Sequence, residues 1–189
     1  MAWDTFLKAT AQKSPRPLLK EALSFVKGVG ERRALDLGAG AMNDVHFLAQ
    51  NGFKVIAVDS NKEVEKYMQD IPNAEFVAST FDVFSFPLKE FDIVNAQYSL
   101  PFNPPTTFNI MFSKLIHSLK KGGIFVGQLF GEEDGWAGDT KMTFHSDTEI
   151  KDLLQPFNIL VYREEKKLGT TVAGKEKFWH VLHIIAEKK

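Results

Sequence analysis

The chain contains no cysteine. That excludes a disulfide framework, a thiolate metal site and a cysteine nucleophile, and it agrees with a reducing compartment. An excess of either charge is also lacking: 23 Lys and Arg stand against 24 Asp and Glu, a net charge of -1. No long-range field draws such a protein toward nucleic acid or an anionic membrane, so neither is an expected partner. No apolar run approaches the roughly 18 residues of a membrane span. The start, Met1-Ala2-Trp3-Asp4-Thr5, lacks the basic region and apolar core of an export signal. The resulting expectation is a cytoplasmic chain with no membrane association. Repeats and low-complexity segments are missing too. What is present is 189 residues, 44% hydrophobic with 17 phenylalanines, enough to build the core of one domain.

The most informative stretch is Leu35-Asp36-Leu37-Gly38-Ala39-Gly40-Ala41. The apolar run ending at Leu37 reads as a buried strand, and the small residues after it allow a tight turn beside a ligand. A helix signal follows, with Asn43 or Asp44 as cap and Val45, Phe47 and Leu48 as apolar stripe. Strand, glycine turn and helix N-terminus form the first half of a nucleotide-binding βαβ unit. A dinucleotide fingerprint starting at Gly38 requires glycine or alanine at 43, where Asn43 stands, which argues against a nicotinamide cofactor. A carboxylate at the strand end, Asp36, suits a ligand that carries an ammonium group.

A second buried strand, residues 53–60, ends in Asp59 and Ser60. One βαβ unit consumes about 20 residues between its glycine turn and the end of its second strand, which puts Asp59 where an adenosine ribose lies. Its other reading is a cap for a helix over Lys62 to Gln69, with Asn61 as competitor. A third strand covers 75–78 and is followed by Ser79-Thr80-Phe81-Asp82-Val83; the connection on to residue 90 is too short and too Pro-marked for a crossover helix. Strand four, Phe91 to Gln97, delivers Gln97, Tyr98, Ser99, Leu100 and Phe102 to the same face.

The ordered set Asp36-x-Gly38-x-Gly40, Asp59, Asp82 and Phe91-Asp92 resembles the class I S-adenosylmethionine-dependent methyltransferases over roughly residues 30 to 187, with Met42 where their third motif glycine is usual. Leu119-Lys120-Lys121-Gly122-Gly123-Ile124, Gly127-Gln128-Leu129-Phe130-Gly131 and the Trp-His-Val-Leu-His-Ile-Ile ending look most like the small stand-alone, tellurite-resistance-like members. The resemblance implies an α/β, Rossmann-like, doubly wound seven-stranded sheet, mostly parallel with an antiparallel C-terminal edge strand, in three α/β/α layers. It implies S-adenosyl-L-methionine as cofactor, held by Asp36, Gly38, Ala39, Gly40, Asp59, Ser60, Phe81, Asp82, Val83, Asn95 and Gln97. Tyr98, Phe102, Phe130 and Trp136 are candidates for the acceptor side, and Tyr98 and His145 for catalysis. The implied activity is methyl transfer to a small-molecule acceptor by in-line displacement, in a monomer or weak homodimer. A cofactor-binding regulator or sensor without catalysis is the alternative, and it would lack an open acceptor pocket.

The remaining segments are read more locally. Residues 1–28 form an N-terminal helical segment, with a break at Ser14-Pro15-Arg16-Pro17 and a second helix over Leu18 to Lys27; the resemblance implies a lid over the cofactor cleft, and the alternative is a surface helix pair packing on the sheet. Residues 29–189 form the methyltransferase domain. Asn103-Pro104-Pro105-Thr106 nearly spells the signature of methyltransferases that act on exocyclic amines of DNA or on glutamine, but it follows strand four several residues late, lacks the aromatic and reads as a turn before a helix over Phe108 to Leu119. Lys120 to Gly123 reads as that helix's C-cap, and strand five follows over 124–130. The loop 131–139 is glycine-rich and acidic, a candidate acceptor wall or solvated surface. Ser146 and Glu149 form a capping box. Residues 158–165 and 177–187 read as a closing antiparallel pair joined by a loop with Gly169 and Gly174, in which Trp179, His180 and His183 are sheet residues and no metal is expected.

Overall fold

The computed structural model describes residues 3–28, 30–68 and 71–189. Seven strands form one sheet in the order 3-2-1-4-5-7-6. Strands β1 (Arg32–Leu37), β2 (Phe53–Asp59), β3 (Ala74–Ala78), β4 (Phe91–Ala96) and β5 (Leu119–Phe130) run parallel, while β6 (Phe157–Thr170) and β7 (Glu176–Lys188) close the edge antiparallel. The strand order thus reverses between β1 and β4, and the carboxyl ends of these two neighbours meet at the switch point where α/β sheets bind ligands.

Two buried clusters cover the sheet faces. On one, Leu35, Val94 and Phe125 pack with Phe108, Phe112 and Leu115 of α4 (Pro105–Ser118) and with Ile150 and Leu154 of α5 (Asp147–Leu154). On the other, Ala34, Val55 and Ile93 pack with Val45 and Leu48 of α3 (Asn43–Gln50), Leu18, Leu19 and Ala22 of α2 (Pro17–Leu23), and Leu7 of α1 (Trp3–Thr10). The three layers follow from the burial of residues 34–37 of β1, 93–96 of β4 and 123–130 of β5, since central parallel strands are covered on both faces. The N-terminal segment shares the sheet's core. The boundary expected between residues 28 and 29 ends on residue 29, and residues 1–2 complete that segment; these three lie outside the described residues.

Several local expectations change. Neither Asn43 nor Asp44 caps α3: the cap is Met42, in the left-handed conformation at φ 62°. The segment after β2 is a 3-10 helix over Lys62–Tyr67 capped by the Asn61 side chain, not by Asp59, and Gln69 lies outside the described residues. Helix α2 stops at Leu23, short of Lys27, and α4 starts at Pro105, earlier than expected. The Lys-Gly segment is no C-cap. Leu119 leaves α4 extended at ψ 140° and residues 119–123 already belong to β5, with a register shift opposite Phe91 to Ile93. Lys120 explains the pull into the sheet, because its Nζ pairs with both oxygens of Asp92 on β4 at 2.9 and 2.8 Å. Gly169 pairs with Lys177 inside a hairpin longer than expected. The capping box on α5 forms as read.

Candidate active site

The carboxyl ends of β1, β2 and β4, the turn after β3, the N-terminal segment and the β6–β7 hairpin surround a cavity of about 510 Å³. At its floor the chain leaves β1 through Gly38, at φ 82°, where a Cβ would overlap the Ser99 side chain. Ser99 is fixed there because its Oγ donates to the Leu37 carbonyl at 2.6 Å, fastening the end of β4 to the end of β1. The turn then passes through Gly40 at φ 51° and Met42 at φ 62°. Position 42 therefore keeps the conformation that glycine adopts most easily, although it carries Met. The cost of left-handed backbone, ~1–2 kcal/mol, is offset by a side chain only 1% exposed.

Asp36, 2% exposed, ends in this cavity. It accepts a hydrogen bond at Oδ1 from Nδ2 of Asn95, which also lies 3.3 Å from Asp44 Oδ2. Burial, and then the neighbouring Asp44 carboxylate, push the Asp36 pKa up to about 8. In the free protein the group is thus largely neutral at pH 7, and a cationic ligand partner is what favours its ionised form. Asp44 itself is held to the N-terminal segment: Arg16 backbone N donates to its Oδ1 at 2.9 Å and Arg16 Nε lies 3.9 Å from its Oδ2. The Arg16 guanidinium sits 4.8 Å from the Tyr98 ring centroid. Asp59 takes Gly40 N–H at Oδ2 (3.0 Å) and Asn61 N–H at Oδ1 (2.9 Å), so the second carboxylate is aimed by the first glycine turn.

From Asn95 an amide chain crosses the sheet. Gln97 Nε2 donates to Asn95 Oδ1 at 2.9 Å, Gln128 Nε2 lies 3.3 Å from Gln97 Oε1, and Tyr98 N–H donates to Gln128 Oε1 at 3.0 Å. That last bond holds Tyr98 at φ 55°, a strained value for a non-glycine residue. Burial pushes the Tyr98 phenol pKa further up, so it stays protonated. Tyr98 stands between the Asp36 end and an aromatic wall of Phe102, Phe130, Trp136 and Trp179.

The cavity brings together Asp36, Gly38, Ala39, Gly40, Asp59, Ser60, Phe81, Asn95, Gln97, Tyr98, Phe102, Phe130 and Trp136. It does not include three others. Asp82 and Val83 sit exposed on the turn after β3 and are not among the lining residues, whereas Thr80 and Phe81 just before them are. His145 is 5% exposed, edge-on to Phe108 at 4.7 Å, with neither ring nitrogen hydrogen-bonded, and it does not line the cavity. Burial lowers its pKa. Asp44, Arg16, Gln128 and Trp179 were not singled out from sequence as site residues. Arg16 and Asp44 are 28 positions apart and carry no spacing signal. Trp179 was readable only through the alternation of β7, where it shares a face with Val181. No metal-binding cluster of His, Asp and Glu occurs among the described residues.

A family model for a methyltransferase domain matches residues 34–123, from β1 into β5. No protein with a curated description matches the chain. Among solved structures, TehB from Haemophilus influenzae is similar at a TM-score of 0.74 and 14% identity, over 90% of this chain and 62% of TehB. This chain therefore spans less than two thirds of TehB. A S-adenosylmethionine-dependent methyltransferase from Methanosarcina mazei is similar at 0.68 and 19%, over 93% of this chain and 99% of that one. The 1,6-didemethyltoxoflavin-N1-methyltransferase of Burkholderia thailandensis, solved with 1,6-didemethyltoxoflavin and S-adenosylhomocysteine, gives 0.64 and 19%, over 92% and 79%. Residues 34–123 thus match a methyltransferase-domain model, and the strand order gives the chain the fold that these solved methyltransferases share, TehB among them.

Proposed function

We propose that this chain transfers the methyl group of S-adenosylmethionine to a small-molecule acceptor held in the aromatic half of the cavity. One observation carries the reading: Asp36, Gly38, Gly40 and Asp59 line the same cavity that continues past Tyr98 to Phe130, Trp136 and Trp179. The donor set fits the cofactor. Asp36, an acid buried beside Asn95, takes the methionine ammonium, Asp59 takes the ribose hydroxyls, and Phe81 flanks the base, with Asp82 proposed for the adenine amine from the turn. The bound cofactor supplies a methyl group on a sulfonium, already a good leaving group.

The protein's own contribution is placement and dryness. Holding two reactants aligned supplies up to about 7–11 kcal/mol of a barrier, and Tyr98, fixed by its backbone bond to Gln128, stands at the junction where they meet. No dedicated base is required for an acceptor that arrives ionised or with a free lone pair. Phe6, Leu7, Thr10, Lys13 and Arg16 line the cavity, which supports the N-terminal segment as a lid over bound cofactor. The continuation of the cavity beyond Tyr98 favours an enzyme over a regulator that merely senses the cofactor. No helix among the described residues is long and apolar enough to cross a membrane; the reading carries with it a cytoplasmic enzyme, monomer or weak homodimer, that does not need nucleic acid.

Calorimetric titration tests the cofactor assignment: S-adenosylmethionine and S-adenosylhomocysteine bind and NAD does not. Binding of NAD with no response to either adenosyl compound would overturn the proposal.

A further inference from the structure

The rear of the aromatic wall holds a buried lysine, whose ammonium form burial disfavours and the paired Asp134 carboxylate favours. Lys177 Nζ lies 3.5 Å from the centroid of Trp179, 4.0 Å from Trp136 and 4.6 Å from Phe130. It pairs with both oxygens of Asp134, each at 2.7 Å, and the two side chains are 2% and 0% exposed. Asp134 also accepts the N–H of Trp136 at 3.0 Å and of His180 at 3.2 Å, so the loop 131–139 is anchored through a buried acid. Neither Lys177 nor Asp134 lines the cavity, whereas the three rings do. One ammonium thus already occupies the electron-rich environment that these rings offer a cation. A second cation on their cavity side meets rings whose density is drawn toward Lys177. A planar neutral or anionic ring meets no such conflict, and it can pack offset or edge-on against the rings.

The charged groups that face this half of the cavity point the same way. Glu165 and Lys167 on β6 are tied to each other at 2.8 Å, Thr171 adds a hydroxyl, and His145 is elsewhere. Among the described residues, no unengaged carboxylate faces the wall to pair an ammonium or to take a proton from an alcohol.

We propose, building on the methyltransferase reading above, that the acceptor is a planar aromatic compound, uncharged or anionic, whose nucleophilic atom is ready without a base, such as an arenethiolate. In the transfer a lone pair of the thiolate sulfur forms the new bond to the methyl carbon. The carbon–sulfonium bond breaks with its pair kept on the leaving sulfur, and no proton moves. Aliphatic and cationic acceptors are selected against by the same wall.

The test uses the full chain saturated with S-adenosylhomocysteine and three calorimetric probes: 4-nitrothiophenol, 2-mercaptoethanol and phenethylamine. With no cysteine in the chain, thiol probes form no mixed disulfide with it. The expected result is that 4-nitrothiophenol binds at least tenfold more tightly than either other probe. Trp136→Ala is expected to lose that binding at least tenfold, Trp136→Phe to retain most of it, and both to keep their affinity for S-adenosylhomocysteine. In a second arm with S-adenosylmethionine, mass detection finds the S-methyl thioether of the arenethiol in preference to that of 2-mercaptoethanol. Equal or tighter binding of the aliphatic or cationic probe, or no binding of the arenethiol to a complex that does hold S-adenosylhomocysteine, overturns this inference alone. Failure to bind S-adenosylhomocysteine overturns the underlying function instead.

Discussion

Asp36 and Asp59 do different work although both are acids at strand ends. Asp36 is buried with its pKa raised to about 8, so the folded state holds a proton that the unfolded chain releases near the ordinary carboxylate value. The linked stability is greatest on the acid side and is lost as pH rises from about 4 toward about 8. Asp36→Asn removes that loss, and thermal melts at pH 8 are expected to show it more stable than the parent by at least ~1 kcal/mol, or about 2–4 °C. A parent and variant with parallel pH profiles would contradict the raised value. The same charge state links binding to protons, since pairing an ammonium requires the carboxylate. S-adenosylhomocysteine binding at pH 7 is therefore expected to release a proton, seen as heats that vary with buffer ionisation enthalpy, and Asp36→Asn abolishes the release. Asp59→Ala is expected to weaken S-adenosylhomocysteine at least ~10-fold, the worth of one charge-assisted bond. It also costs ~1–2 kcal/mol of stability, because Gly40 and Asn61 N–H lose their acceptor. An unchanged Kd in that variant assigns Asp59 to the turn alone.

Elements show where sequence was legible and where it was not. The strands could be read because β1, β2 and β4 each carry a short apolar stretch with a polar residue near the carboxyl end (Asp36, Asp59 and Asn95), and the Ser146–Glu149 box is a local pattern that the structure keeps. Features made by distant partners could not be read. The Lys-Gly segment joins β5 because Lys120 finds Asp92, 28 positions away, and the acidic loop is anchored because Asp134 finds Lys177, 43 positions away. Asp82 illustrates a motif residue whose spacing matches while it lies outside the cavity lining. Met42 illustrates a conformation retained where the expected glycine is missing. At this position two effects compete. Met42→Gly relieves ~1–2 kcal/mol of left-handed strain but removes a buried methionine worth ~2–5 kcal/mol. Packing wins, so the variant is expected to melt lower, by ~1–3 kcal/mol; a higher melting temperature would show that strain dominates the turn.

At the scale of the molecule, the sheet places two chemically different pockets in line. The acidic, glycine-lined half lies over β1 and β2, and the aromatic half lies against β5 and β7, with Tyr98 at the end of β4 between them. The long antiparallel hairpin and the N-terminal segment both contribute lining residues to this cavity. The central claim is that the acids closing β1 and β2 grip the two ends of one adenosyl compound. A crystal structure of the chain soaked with S-adenosylhomocysteine tests it most directly. The account predicts the amino group within hydrogen-bonding reach of Asp36, the ribose hydroxyls on Asp59, and the sulfur directed at Tyr98. Density for the ligand elsewhere, or in the cavity with either carboxylate turned away, would contradict it.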